Sequence, residues 1–276
     1  MKKINRLLII IGLLSTSISS LSAQEKELCI TYKHYSMIRM ETLIEPNLVR
    51  EMKVLAYKSK VISRIVCSYD NASIVGSNNL PKYKFISSVD YNKTYLLASV
   101  YDNEVLLKEP LPLFQWSLSN ENTKGIPAVK KILGYHCNKA ECTFRGRDYV
   151  AWFTNEIPFK AAPWKFHGLP GVMLEVYSKD TFFKWEAKSL EIREHTEDYE
   201  PQLNGAKILN LEEHIDNLTK QQRESIEHVK KQVLTGVPMF TSGDIPIEIF
   251  TPELDPKNYL KEYSSPAYQE MLNNMK

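Results

Sequence analysis

Ten short segments of the chain alternate apolar with polar residues, and this period of two most narrows what the chain can fold into. In 28–40, Leu28, Ile30, Tyr32, Ile38 and Met40 fall on one face, and Thr31, Lys33 and Arg39 on the other. Runs of the same kind recur at 52–57, 61–67, 82–87, 94–101, 104–107, 132–145, 148–154, 172–178 and 181–192. Turn-forming residues punctuate them at Asp70-Asn71, Gly76 to Asn79, Asp102-Asn103, Arg145 to Asp148 and Gly168 to Gly171. The 15 Tyr and 10 Phe suit half-buried pleated surfaces. The expected fold is mainly β, a strongly curved antiparallel sheet built as a meander.

One stretch follows a different period. Asn210 with Glu213 three residues on has the form of a capping box. Leu211, Ile215, Leu218, Ile226, Val229 and Val233 then recur at helical spacing, interrupted by Gln222, until Gly236 and Pro238 end the pattern. An amphipathic helix over about 210–234 is expected, covering one face or mouth of the sheet, which makes the class α+β. The prolines after 236 predict an irregular tail over 237–276 that runs along the surface or ends disordered. Residues 109–128, with Pro110, Pro112, Gly125 and Pro127, read as a second irregular stretch. No shift in composition divides 24–236, so a single domain is expected there.

The chain begins with Lys2, Lys3 and Arg6, an apolar run from Leu7 to Leu14, and Leu21-Ser22-Ala23. That is the order of a secretory signal peptide cleaved after Ala23. Its apolar core is short for a bilayer, and no later segment is long and apolar enough to span one. The whole chain has 35 Lys+Arg against 33 Asp+Glu, but three of the basic residues lie in 1–23. The rest is near neutral, with no electrostatic case for nucleic acid. An exported protein of the periplasm or outer envelope, or a secreted one, is expected. Its four cysteines (Cys29, Cys67, Cys137, Cys142) would then sit in an oxidising compartment. Four cysteines leave three pairings open. Cys29 and Cys67 lie symmetrically about residue 48, next to Pro46-Asn47, so a cross-strand bridge between them is the candidate.

The run Pro163-Trp164-Lys165-Phe166-His167-Gly168-Leu169-Pro170-Gly171 precedes an apolar strand. Two glycines and a proline in such order make a shaped turn rather than a loose loop. Trp164 and Phe166 are expected to anchor the Gly168-Leu169-Pro170-Gly171 turn in the core. In a sharper reading, these residues line an apolar groove for a lipid-like or peptide ligand. Valine at Gly168 or Gly171 should lower thermal stability, because a β-branched residue resists special backbone angles.

Together with Gly134 to Ala140, Phe144 to Thr154, Ile157-Pro158 and Pro163 to Leu174, this run resembles the GLPGLI family of secreted or envelope proteins of Gram-negative bacteria. The resemblance covers about residues 130–190, and Ile245 to Ile249 is similar to a short element near that family's end. Ala162 stands where a Gly commonly precedes Pro-Trp, and Val172-Met173 replace Leu-Ile. The resemblance implies an exported, mostly β protein with no established activity. The order of elements also resembles the curved half-barrels of lipoprotein-carrier-like proteins, an analogy that assigns no function.

Catalytic signals are sparse. There is no Gly-x-Ser-x-Gly elbow and no local cysteine-protease signature. Glu175 beside the shaped turn is the best general acid or base, and its plainer reading is a strand residue that faces solvent or pairs with a lysine such as Lys184. His34, His136, Cys137, Cys142 and His167 offer ligands for copper or zinc, but adjacent strand residues such as His136 and Cys137 point to opposite faces. Arg145 and Arg147 at a tight turn present charge to solvent or to an acidic partner. Trp116, Trp152, Phe153, Phe182, Phe183 and Trp185 read chiefly as core. The sequence therefore favours an exported, non-catalytic binding protein without a cofactor. Its partner would be a lipid-like molecule, a peptide or another envelope protein. A hydrolase near Glu175 and a soft-metal site are the alternatives.

Overall fold

The computed structural model of the chain describes residues 25–36, 48–67, 82–100, 105–119, 129–195, 206–233 and 247–255. The strands are β1 (Lys26–Ser36), β2 (Leu48–Tyr57), β3 (Lys60–Cys67), β4 (Lys82–Asp90), β5 (Tyr95–Val100) and β6 (Val105–Pro110). They continue with β7 (Ser117–Ser119), β8 (Val129–Ile132), β9 (Tyr135–Phe144), β10 (Arg147–Thr154), β11 (Val172–Ser178), β12 (Phe183–Glu194) and β13 (Lys207–Leu209). One helix, α1 (Leu211–Val233), and a 3-10 turn at Pro252–Leu254 complete the described elements. The expected leader 1–23, the turns at 70–71, 76–79 and 102–103, and the tail at 237–246 and 256–276 lie outside the described residues.

All thirteen strands form one curved open sheet in the order β13-β6-β5-β4-β3-β2-β1-β12-β11-β10-β9-β7, with β8 beside β7 along β9. The fold is mainly β with one late helix, as the alternation implies. Two antiparallel meanders, β2 to β6 and β9 to β12, are joined by the first strand. β1 pairs with β2 on one side and with β12 on the other. Leu28, Ile30 and Tyr32, the predicted apolar face of β1, are fully buried. The main core gathers there, around Trp185, Phe166, Met52, Met173 and Leu174. A smaller cluster of Val89, Leu96, Ala98 and Leu107 supports β4, β5 and β6.

The expected strand 132–145 is broken in two. Leu133 and Gly134 both take positive φ, +50° and +90°, and make a two-residue hairpin between β8 and β9. Such turns match the twist of paired strands, so the apolar run continues through the reversal. The stretch read as irregular at 109–128 contributes β7, which edges β9 at Ser117–Ser119.

The register also corrects the expected cysteine bridge. Cys29 pairs with Leu55, and Leu55 with Ile62, so β1 and β2 fold about residue 42 rather than 48. Cys67 lies five residues along and two strands across from Cys29, about 19 Å away at ordinary strand spacings. A disulfide requires Cα atoms within roughly 7 Å. Cys29 is a free, buried thiol, and so are Cys137 and Cys142.

The capping box forms as expected. The Asn210 amide donates to the Glu213 carboxylate at 3.0 Å, and the Glu213 amide donates to Asn210 Oδ1 at 2.9 Å. α1 packs on β6 and on the Pro252–Leu254 turn, and Ile226 reaches the main core. Gln222, read as a break in the apolar stripe, is buried within it. No helix among the described residues is long and apolar enough to cross a membrane.

Candidate functional site

The motif run folds as an inward loop between β10 and β11. Trp164 sits at φ +56° and Gly168 at φ +96°, two left-handed positions within five residues. Gly171 has the tightest requirement: a Cβ there would meet the Thr154 carbonyl oxygen at 2.0 Å. The buried hydroxyl of Ser87 donates to the Trp164 carbonyl at 2.6 Å, and Trp116 Nε1 donates to the His167 carbonyl at 2.7 Å. Trp164, Phe166 and Leu169 are buried, whereas Gly168 and Pro170 are exposed. Phe166 packs edge-on to Trp185 at 5.3 Å and to Tyr149 at 5.0 Å, and Trp164 stacks near Trp185 at 6.1 Å. The aromatic residues of the motif thus pack into the main core.

Between those two aromatics stands Lys165, only 3% exposed. Its ammonium lies 2.6 Å from Glu109 Oε1 and 2.7 Å from Glu248 Oε2. Arg145 closes the figure with an ion pair to Glu109 at 2.5 Å and another to Glu248. Two cations and two carboxylates therefore alternate around a buried square drawn from β6, the β9–β10 turn, the motif loop and the C-terminal segment. Burial pushes Glu248 toward its neutral form, but Lys165 and Arg145 outweigh this and hold its carboxyl below the usual range. His214 of α1 lies alongside; burial, helped by the Lys165 charge, pushes its imidazole down to about 4.

This arrangement overturns two expectations. Arg145 and Arg147 turn inward: Arg147 is 2% exposed, ion-paired to Asp180, with its guanidinium 5.0 Å over Phe183. Residues 247–255 are not a surface tail, because Glu248 is buried and Tyr149 and Arg147 both donate to the Ile247 carbonyl, at 3.0 and 3.2 Å. Neither Glu109 nor Glu248 announces itself in sequence, since their Arg145 partner is 36 and 103 positions away. The one local signal was a lysine set between two aromatic residues of a shaped turn.

The other candidates do not converge on one another. Glu175 is buried and bound by Lys130 at 2.6 Å, with Lys184 at 3.9 Å. Its cross-strand neighbour Glu186 is opposed by burial but held below the usual carboxylate range by Lys188 and Lys184. A general acid needs the opposite shift. His136 is exposed and meets Glu156 at 3.0 Å, while Cys137 is buried behind it. His34 stacks on Trp185 at 4.8 Å, and His167 Nδ1 lies 2.9 Å from the Lys165 carbonyl. Among the described residues no three His, Cys, Asp or Glu side chains gather in a metal-binding group.

An open groove of about 330 Å³ runs between α1 and the β13–β6 end of the sheet. Val105 and Leu209 give it an apolar floor, and Lys207, Asn217, Lys220, Gln221 and Glu224 form its walls. The four helical residues sit at i, i+3, i+4 and i+7, one face of α1. None of the motif residues lines it.

A family model described as "N-glycanase peptide, N-terminal domain" matches residues 30–222, most of the chain and nearly all the described sheet. The chain belongs to this family. Two solved structures of PNGF-II, in space groups C2 and P21, are similar to it at 16% identity, with TM-scores of 0.45 and 0.43. Each match covers 67% of this chain and 31% of that chain, so this chain spans about a third of the length of those proteins. No curated protein matches the chain.

Proposed function

We propose that the chain is an exported, non-catalytic binding domain of the bacterial envelope, and that it holds N-linked glycan in the groove between α1 and β13. The groove carries this reading. Amide, ammonium and carboxylate side chains at 217, 220, 221, 224 and 207 offer paired donors and acceptors, which suits the hydroxyls of a sugar. Val105 and Leu209 offer apolar floor for a sugar's C–H face. Membership of a family named for N-glycanase supports the choice of ligand. The leader at 1–23 and the GLPGLI-like residues 130–190, which lie inside the matched span, support export.

Calorimetric titration of the chain with an intact N-glycopeptide tests the proposal. Saturable binding is expected, weakened at least about tenfold by the pair Asn217→Ala and Gln221→Ala, whose side chains lie on an exposed helix face. No heat, or equal affinity in the double variant, would remove the groove from consideration.

A further inference from the structure

Four successive residues of the C-terminal segment are each held by the main domain, three of them by Arg145. The Ile247 carbonyl accepts from the Tyr149 hydroxyl at 3.0 Å and from Arg147 Nε at 3.2 Å. Glu248 completes the buried square with Arg145 and Lys165. The Ile249 amide donates to the Arg145 carbonyl at 2.9 Å, and its side chain lies over Gly146, where an added Cβ would meet it at 2.9 Å. Phe250 lies under the Arg145 guanidinium at 4.6 Å and edge-on to His214 at 6.2 Å.

Such reading of successive residues is the way a domain recognises an extended peptide: main-chain bonds for affinity, and pockets for alternate side chains. The charges say what the peptide must carry. Without Glu248, the half-buried Arg145 and the buried Lys165 face Glu109 alone, leaving one cation uncompensated. A carboxylate must arrive on the docking segment to neutralise it, and glutamine of the same shape does not.

We propose that the socket formed by the β9–β10 turn, Lys165 and β6 is a peptide-docking surface, and that residues 247–255 are its resident ligand, held in cis and exchangeable. The preferred sequence is apolar-Glu-apolar-Phe. Docking uses none of the residues that line the groove. It does bear on the same helix, because Phe250 and the Pro252–Leu254 turn brace α1.

The test uses the full chain with a protease site placed within 237–246, folded intact and then cut. Native mass spectrometry should find the released segment still bound to the body in one-to-one ratio. A synthetic peptide of residues 245–255 should displace it, and the same peptide with Glu248→Gln should do so at least about tenfold less well. The body stays unaltered in this competition, so misfolding cannot imitate the result. Immediate loss of the cut segment, equal potency of the two peptides, or failure of both would overturn the proposal. A two-to-two assembly with segments exchanged between copies would overturn the cis arrangement.

Discussion

A β-carbon at position 171 would lie 2.0 Å from the Thr154 carbonyl oxygen and 2.7 Å from Asn155 Oδ1. Neither the backbone nor a turn side chain can move that far without opening β10 from β11. Gly168 differs: its φ of +96° is the obstacle, and the nearest neighbour of an added Cβ is the Trp116 ring at 3.4 Å. Gly171→Ala should therefore cost more than about 3 kcal/mol, and Gly168→Ala only about 1–2 kcal/mol. Urea unfolding would rank them, and the reverse order would contradict this account of the loop. His34 makes a second prediction at this scale. Both its ring nitrogens are buried without a hydrogen-bond partner among the described residues, and burial, with Arg50 nearby, pushes its imidazole down to about 4. The unfolded chain binds a proton there from about pH 6.5 downward while the folded one does not. Native stability therefore falls between pH 6.5 and about 4, and His34→Phe removes that slope while keeping the stack on Trp185. The melting temperature should rise more at pH 5 than at pH 8; an equal change at both would sink the idea.

Elements were legible wherever their signals are local. The two-residue alternation marked every long strand, and Asn210 with Glu213 marked the start of α1, because both patterns are completed within one element. Register was not legible. Pro46-Asn47 drew the β1–β2 reversal to residue 48, but the pairing of Cys29 with Leu55 centres it at 42. A shift of that size moves every cross-strand partner, which is why Cys67 was wrongly set against Cys29. Short hairpins that rely on a non-glycine residue at positive φ, such as Leu133 before Gly134, were hidden inside apolar runs. The register makes a checkable statement about thiols. Denatured in the absence of reductant, the chain should take up iodoacetamide at Cys29, Cys137 and Cys142, the free cysteines among the described side chains. Protection of Cys29 until reduction would contradict the strand order.

At the scale of the whole molecule, the square of Glu109, Arg145, Lys165 and Glu248 fastens four distant parts of the chain in one buried place. It was illegible in sequence for the same reason it is effective: each partner comes from a different element. Breaking a buried pair by removing one member leaves an uncompensated charge and costs about 3–5 kcal/mol. Lys165→Met should lose about that much, and a loss under about 1 kcal/mol would show the square to be incidental. Acid acts in the same direction. Glu248, facing Lys165, Arg145, Glu109 and His214, is held below its usual range, so its contribution is complete above the unfolded value of 4.5 and lost as pH falls through the folded one. With the square and the aromatic motif filling the interior, the groove along α1 is the open feature on which the glycan proposal depends. Hydrogen exchange with and without an intact N-glycopeptide tests that claim most directly. Slower exchange confined to β13, the start of β6 and the 217–224 stretch of α1 is the predicted result, and protection elsewhere, or none at saturating glycopeptide, would contradict it.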